Sequence, residues 1–122
     1  MSDAAEDTFP EVTPAELAGW LRERAGLILL DVREPYEFPR ARFPDARVVH
    51  APLSELARKH TGALPENLQA PVPATVVVFC HHGVRSAQVT SWLMALGWQE
   101  VYNLAGGIDA YARQVDSSIG LY

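Results

Sequence analysis

Two uninterrupted apolar segments constrain the fold of this chain more than any other feature. Residues 27–32 read LILLDV and residues 75–79 read TVVVF. A strand with one solvated face alternates apolar and polar side chains, whereas a strand covered on both faces carries a nearly continuous apolar run. Both segments have the length of strands and fall far short of the roughly 20 residues that span a bilayer. We therefore predict buried parallel strands and no contact with a membrane.

Helical patterns lie between these strands. Thr13, Pro14 and Glu16 form a helix start, in which the threonine caps, the proline occupies the first turn and the glutamate completes a capping box. Further helices are predicted at residues 53–60, 88–96 and 108–114, and further short strands at residues 47–50 and 101–103. Residues 33–45 and 61–73 hold three prolines each and are predicted as loops. Strands that alternate with helices predict an α/β fold with a mostly parallel sheet flanked by helices.

Length and charge indicate one domain with an acidic start. The chain has 122 residues with 10 basic and 15 acidic side chains, which gives a net charge of −5. Residues 1–12 hold four of the acids and no base, so we predict a partly flexible lead-in there and a single domain at residues 13–122. The rest of the chain is close to neutral. Because nucleic-acid binding requires a basic patch, we expect no nucleic-acid partner.

Cysteine usage and the N-terminal composition bear on location. Cys80 is the only cysteine, so neither an internal disulfide nor a multi-thiolate metal cluster can form within the chain. The first residues are acidic and lack the basic and apolar regions of a secretory signal. We therefore expect a reducing, cytoplasmic location. The sequence indicates no particular oligomeric state.

Cys80 stands between the strongest predicted strand and a predicted helix. Residues 81–86, which read HHGVRS, form the connection. Ligands of open α/β sheets bind beyond the carboxyl ends of the strands, and backbone N–H groups at a helix start favour an anion there. Gly83 allows the loop to bend closely, and Arg85 adds a positive charge. This arrangement favours a thiolate at Cys80 and indicates a nucleophile rather than an inert core residue.

Three motifs of this chain, taken in order, resemble those of the rhodanese-like sulfurtransferase family. Residues 78–86, which read VFCHHGVRS, resemble the active-site loop of that family. Residues 29–38 (LLDVREPYEF) resemble its first signature, and residues 97–98 (GW) with 101–108 (VYNLAGGI) resemble its C-terminal signature. The resemblance extends from about residue 14 to about residue 115 and implies a rhodanese-like three-layer fold.

This resemblance also implies a mechanism of sulfur transfer. Cys80 would accept a sulfane sulfur from a donor such as thiosulfate and hold it as a persulfide, until a thiophilic acceptor (cyanide or a thiol) removes it. The residues after the cysteine would bind the substrate, with backbone amides that stabilise the persulfide and with Arg85 against an anionic donor. These residues are His81, His82, Gly83, Val84, Arg85 and Ser86. The resemblance implies no cofactor, and its partners are a small-molecule sulfur donor and a thiol or protein acceptor.

The length of the loop separates sulfur transfer from phosphatase chemistry. Four residues lie between Cys80 and Arg85, whereas the phosphatases and arsenate reductases related to this family have five, which widens the loop for a tetrahedral oxyanion. The alternative from another class is a non-enzymatic rhodanese-like module for protein binding or sulfur relay, whose usual mark is loss of the cysteine. Because Cys80 is present, we predict an enzyme.

The remaining polar residues near these motifs have simpler interpretations. In one interpretation, the side chain of His81 or His82 tunes the thiolate or contacts the donor. In the other, both side chains face solvent and only their backbone N–H groups matter, and both interpretations stay open. No metal site is expected from Cys80, His81 and His82, because consecutive side chains in a tight loop point apart. Asp31 and Arg33 are interpreted as a structural ion pair at a strand end.

Overall fold

A parallel β-sheet forms the centre of the molecule. The computed structural model describes residues 9–122. Its five strands are β1 (Glu11–Val12), β2 (Ile28–Asp31), β3 (Val48–His50), β4 (Val76–Phe79) and β5 (Val101–Leu104). Their spatial order is β1-β5-β4-β2-β3, and every neighbouring pair is parallel. The predicted parallel α/β sheet is confirmed, and the strand that leads into Cys80 is the central one.

Four α-helices cover both faces of this sheet. They are α1 (Pro14–Glu23), α2 (Leu53–Lys59), α3 (Val84–Ala95) and α4 (Gly107–Gln114). One buried cluster joins Val77 and Phe79 of β4 to residues of α1 and α4, and a second joins Val76, Val78 and Cys80 to residues of α2 and α3. Alternate side chains of β4 thus enter opposite cores, which explains why this strand is apolar throughout. The result is the three-layer arrangement that the resemblance implies.

Short 3-10 helices occupy much of the two segments predicted as proline-rich loops. They comprise Pro35–Arg40, His60–Ala63 and Glu66–Leu68, and a further one lies at Ser117–Ile119. Proline suits the first position of such a turn because its missing N–H needs no partner there. The turn at Pro35–Arg40 carries Glu37, which is buried. This turn therefore places the carboxylate of Glu37 in the interior of the protein.

The sheet begins earlier than the sequence predicts. Glu11 and Val12 pair with Asn103 and Leu104 of β5, and the side chain of Val12 is fully buried. The packing of Val12 against β5 outweighs the acidic, loop-like composition around it, and the sheet therefore includes residues before the predicted domain start at residue 13. Residues 1–8 of the predicted flexible lead-in lie outside the described residues.

Two helix starts differ in how well the sequence predicts them. At α1 the capping box is confirmed, because the Glu16 N–H donates to the Thr13 hydroxyl and the Thr13 N–H donates to the Glu16 carboxylate. At α3 the predicted start at residue 88 is wrong, because the helix begins at Val84. Gly83 has a φ of +99° and turns the chain directly into the helix. The first turn of α3 is therefore part of the loop that follows Cys80.

The three tryptophans pack into or against the two core clusters. Trp98 is buried, and Trp20 and Trp92 are partly buried against the two core clusters. Among residues 9–122, no helix combines the length and the apolar character needed to cross a bilayer.

Candidate active site

Cys80 lies directly after the central strand, with its sulfur enclosed by the start of α3. The residue is 1% exposed. Its Sγ accepts hydrogen bonds from the Gly83 N–H at 3.1 Å, the Ser86 N–H at 3.4 Å and the Ser86 hydroxyl at 3.3 Å. Donors that converge on one sulfur stabilise negative charge there, and the partial positive charge at the helix start acts in the same direction. Three hydrogen-bond donors of the loop therefore point at this one sulfur.

Only part of the predicted substrate-binding loop contacts this sulfur. Gly83 and Ser86 supply the donors, whereas Val84 points outward and is 70% exposed. Arg85 directs its guanidinium to Glu37 instead of the sulfur. The side chains of His81 and His82 stack on each other beside the loop. Within this loop, Gly83 and Ser86 therefore bind the sulfur, and the side chains of the other residues point elsewhere.

Asn103 contacts the Cys80 loop, although nothing in the sequence singled it out. Its amide nitrogen donates to the carbonyl of Gly83 at 3.2 Å and to the carboxylate of Glu11 at 3.2 Å. Its amide oxygen therefore faces Ser86 and accepts a hydrogen bond from the Ser86 hydroxyl. That hydroxyl has one proton and two acceptors, Asn103 and the sulfur of Cys80. Asn103 thereby fixes the position from which Ser86 approaches the sulfur.

The N-terminus of α4 holds the other side of the Cys80 loop. The Ile108 N–H donates to the carbonyl of Cys80 at 2.9 Å, and the Asp109 N–H donates to the carbonyl of His81 at 3.1 Å. Gly107 makes this approach possible, because it has a φ of +68° and carries no Cβ where the backbone of His81 passes. These bonds use the free N–H groups of a helix start, which otherwise need water or a cap.

A partly buried ion pair anchors the far end of the loop. Arg85 contacts Glu37 with two nitrogens, at 2.6 and 3.0 Å, and the side chain of Glu37 is 6% exposed. The Tyr122 hydroxyl donates to the same carboxylate at 2.9 Å and accepts from Arg33 at 3.2 Å. The hydrogen bonds from Arg85 lower the pKa of Glu37 to about 2, and burial raises the pKa of Tyr122 to about 12. Arg33 in turn pairs with Asp31 at 2.9 Å, which confirms the predicted structural pair.

We expect the ion pair at Glu37 to stabilise the fold above pH 4.5 and to lose this effect towards pH 2. The ordinary pKa of 4.5 falls to about 2 in the folded state, so protons that bind below pH 4.5 favour the unfolded chain. The shift corresponds to about 3 kcal/mol, which screening at the partly exposed Arg85 reduces to about 2 kcal/mol. The free energy of unfolding of Glu37→Gln should therefore lie below that of the native chain at pH 7 and converge with it near pH 2.

Urea denaturation at a series of pH values measures this difference. Glu55→Gln is the matched control, because Glu55 pairs with Arg58 on the exposed surface of α2 and should show a much smaller difference. A gap between the native chain and Glu37→Gln that stays constant from pH 7 to pH 2 would contradict the expectation.

The two histidines stack on each other, so the expectation that their side chains point apart is wrong. The His81 ring lies between His82, at 3.8 Å between ring centroids, and Tyr122, at 3.6 Å with an angle of 8° between the planes. His81 is half-buried and His82 is exposed. Of the two interpretations left open by the sequence, solvent exposure holds for His82 alone.

These features define the class of protein to which the chain belongs. It is a three-layer α/β protein in which the central parallel strand delivers a single cysteine to a loop with inward-facing amides. The comparison with protein families is consistent with this class, because the model of the rhodanese-like domain matches residues 13–114. The chain belongs to the rhodanese-like domain family.

Curated relatives match most of the chain but are themselves longer. The chain is 33% identical over 112 residues to a probable adenylyltransferase/sulfurtransferase, MoeZ, of Mycobacterium tuberculosis, a match that covers 91% of the chain and 26% of that protein. It is 36% identical over 111 residues to a tRNA uridine(34) hydroxylase of Xanthomonas oryzae, covering 87% of the chain and 43% of that protein. The chain thus spans about a quarter of the length of the first relative and less than half of the length of the second.

Solved structures share the fold. A rhodanese-related protein from Thermoplasma volcanium superposes with a TM-score of 0.69 at 27% identity, covering 88% of this chain and 94% of that one. A thiosulfate sulfurtransferase from Pseudomonas aeruginosa has a TM-score of 0.68 at 24% identity, covering 91% of this chain and 20% of that one. The second likeness concerns the fold alone.

Proposed function

We propose that this protein is a sulfurtransferase that carries a sulfane sulfur as a persulfide on Cys80. The observation that supports this most directly is the convergence of the Gly83 and Ser86 N–H groups on the Cys80 sulfur at the end of the central strand. Membership of the rhodanese-like family and the sulfurtransferase name of the mycobacterial relative agree with it. We propose thiosulfate as the donor class.

The proposed reaction has two steps and needs only a donor and an acceptor. The Cys80 thiolate attacks the outer sulfur of thiosulfate, a new S–S bond forms, the S–S bond of thiosulfate breaks, and sulfite leaves with the electron pair. A nucleophilic acceptor, cyanide or a thiolate, then attacks the outer sulfur of the persulfide, and the Cys80 thiolate is released. These 122 residues hold no second cysteine to attack the persulfide, so the proposed acceptor lies outside them. A reducing compartment such as the cytoplasm suits a free thiol of this kind.

The size of the loop supports sulfur over phosphate as the group transferred. Four residues separate Cys80 from Arg85, and the guanidinium of Arg85 is already bound by the Glu37 carboxylate on both of its terminal nitrogens. A tetrahedral phosphoryl group at the Cys80 sulfur needs more inward-facing donors than Gly83 and Ser86 provide. A single sulfur atom needs only the two amides and the Ser86 hydroxyl.

Intact-mass measurement tests the proposal. After treatment with thiosulfate and removal of excess donor, the native chain should gain the mass of one sulfur atom, and cyanide should remove it with release of thiocyanate. A chain that gains no sulfur from thiosulfate or from a small persulfide would overturn the proposal and favour the non-enzymatic module instead.

We expect Arg85 to contribute to the binding of an anionic donor as well as to the anchoring of the loop. Its guanidinium stays 30% exposed while it is bound to Glu37, so one side of it is open to a donor. Arg85→Ala should raise the KM for thiosulfate about ten-fold or more, and it should raise the KM for an uncharged persulfide donor less. Arg58→Ala, which removes an exposed arginine of α2, serves as the control. Equal losses with both donors would leave Arg85 with the anchoring role alone.

A further inference from the structure

Three side chains that could bind a metal ion meet beside the Cys80 loop and take no part in holding the sulfur. They are His81 and His82 of the loop and Asp109 in the first turn of α4, and each offers one ligand atom within 4.8 Å of the other two. The sequence separation of Asp109 from the histidines hides this group in the linear chain. The fold brings them together because the start of α4 packs against the loop.

A backbone hydrogen bond links two of the three residues in this group. The Asp109 N–H donates to the carbonyl of His81 at 3.1 Å, so the backbones that carry two of the three ligands are bonded directly to each other. The His81 ring is held on one face by Tyr122 and contacts the His82 ring on the other. The backbones of His81 and Asp109 therefore need not be brought together when an ion binds, which reduces the entropy lost on binding.

The chemistry of the three side chains suits a divalent transition-metal ion. Within the described part of the chain, the Nε2 atom of His81 is buried without a hydrogen-bond partner. Asp109 uses one carboxylate oxygen for Arg113, at 2.9 Å, and keeps the second oxygen for another ligand.

We propose that His81, His82 and Asp109 form a binding site for one zinc ion beside the Cys80 loop. Two imidazoles and a carboxylate are a set of three protein ligands that Zn²⁺ accepts, with its fourth position open to water or to an incoming anion. Cys80 is not a ligand, since its sulfur lies among the donors of Gly83 and Ser86. The site is therefore independent of the persulfide chemistry proposed above.

Calorimetric titration of tag-free Cys80→Ser protein with Zn²⁺ tests the site in a background without a thiol. We expect one ion per chain. Loss of an outer-shell partner of a metal site costs roughly 10–100-fold in affinity, so removal of a ligand by His82→Ala or Asp109→Asn should weaken binding at least about ten-fold. His60→Ala is the matched control, because His60 is also exposed but lies at the end of α2, and it should bind as the parent does.

The variants also distinguish loss of the zinc site from loss of the fold or of sulfur transfer. His82 is exposed, so its replacement leaves the fold intact, which circular dichroism checks. Equal affinity of His82→Ala and its Cys80→Ser parent, or a loss of binding in His60→Ala, would overturn the zinc site. Because the titration is done without the catalytic thiol, neither outcome depends on whether the native chain transfers sulfur.

Discussion

The Cys80→Ser variant is expected to transfer no measurable sulfur, a loss of at least about a thousand-fold in the formation of thiocyanate from thiosulfate and cyanide. Serine keeps the size of the side chain and its contacts with Gly83 and Ser86. Its hydroxyl, however, ionises far less readily than a thiol and cannot form a persulfide. The loss should therefore appear in kcat, with the fold and its thermal midpoint nearly unchanged.

A chemical control is available because Cys80 is the only thiol of the chain. One equivalent of an alkylating agent should inactivate the native protein and add a single adduct to its mass. Prior loading with thiosulfate should protect the sulfur until cyanide is added. A Cys80→Ser protein that retains the native rate, or an alkylated protein that does so, would show that sulfur transfer proceeds without Cys80.

The second large effect is expected at Gly107, far from the cysteine in sequence. A Cβ at this position would lie 2.7 Å from the carbonyl oxygen of Cys80 and would collide with the backbone of His81. The φ of +68° adds strain for any residue with a side chain. Strain and overpacking together predict that Gly107→Ala lowers the free energy of unfolding by about 3 kcal/mol. The start of α4 must also move away from the loop, so sulfur transfer should fall as well.

Urea denaturation with an activity assay on the same samples measures both effects. Gly26→Ala is the matched control, because a Cβ at Gly26 meets nothing within 4 Å and its backbone carries no positive φ. The control should change the free energy of unfolding by less than about 0.5 kcal/mol. If Gly107→Ala were as stable and as active as the control, the close packing of α4 on the Cys80 loop would be wrong.

Features set by local sequence could be predicted well. The parallel sheet follows from the continuous apolar runs, and the capping box at Thr13 follows from residue types at a fixed spacing. The location of Cys80 at the end of a strand could be predicted from the apolar run before it and the glycine-containing loop after it. The pair of Asp31 and Arg33 lies two residues apart, at 2.9 Å, and was predictable for the same reason.

Contacts between distant segments could not be predicted from the same patterns. Glu37 meets Arg85 across 48 residues, and Asn103 meets Ser86 across 17, so no spacing in the sequence indicates either contact. The start of α3 was misplaced because Gly83 acts through its backbone conformation, which residue type alone does not reveal. Asp109 was overlooked because only the packing of α4 on the loop brings it to the histidines.

The central position of β4 has a consequence for how the protein opens. The strand is paired on both sides, by β2 and β5, whereas β1 and β3 lie at the edges of the sheet. Amide groups of central strands exchange with solvent hydrogen only through the largest unfolding events, while edges fray at much lower free energy. The backbone that leads into Cys80 should therefore be among the slowest of the chain to exchange in deuterated water. Local unfolding of β1 or β3 at the edges of the sheet would then leave the sulfur of Cys80 in its position at the end of β4.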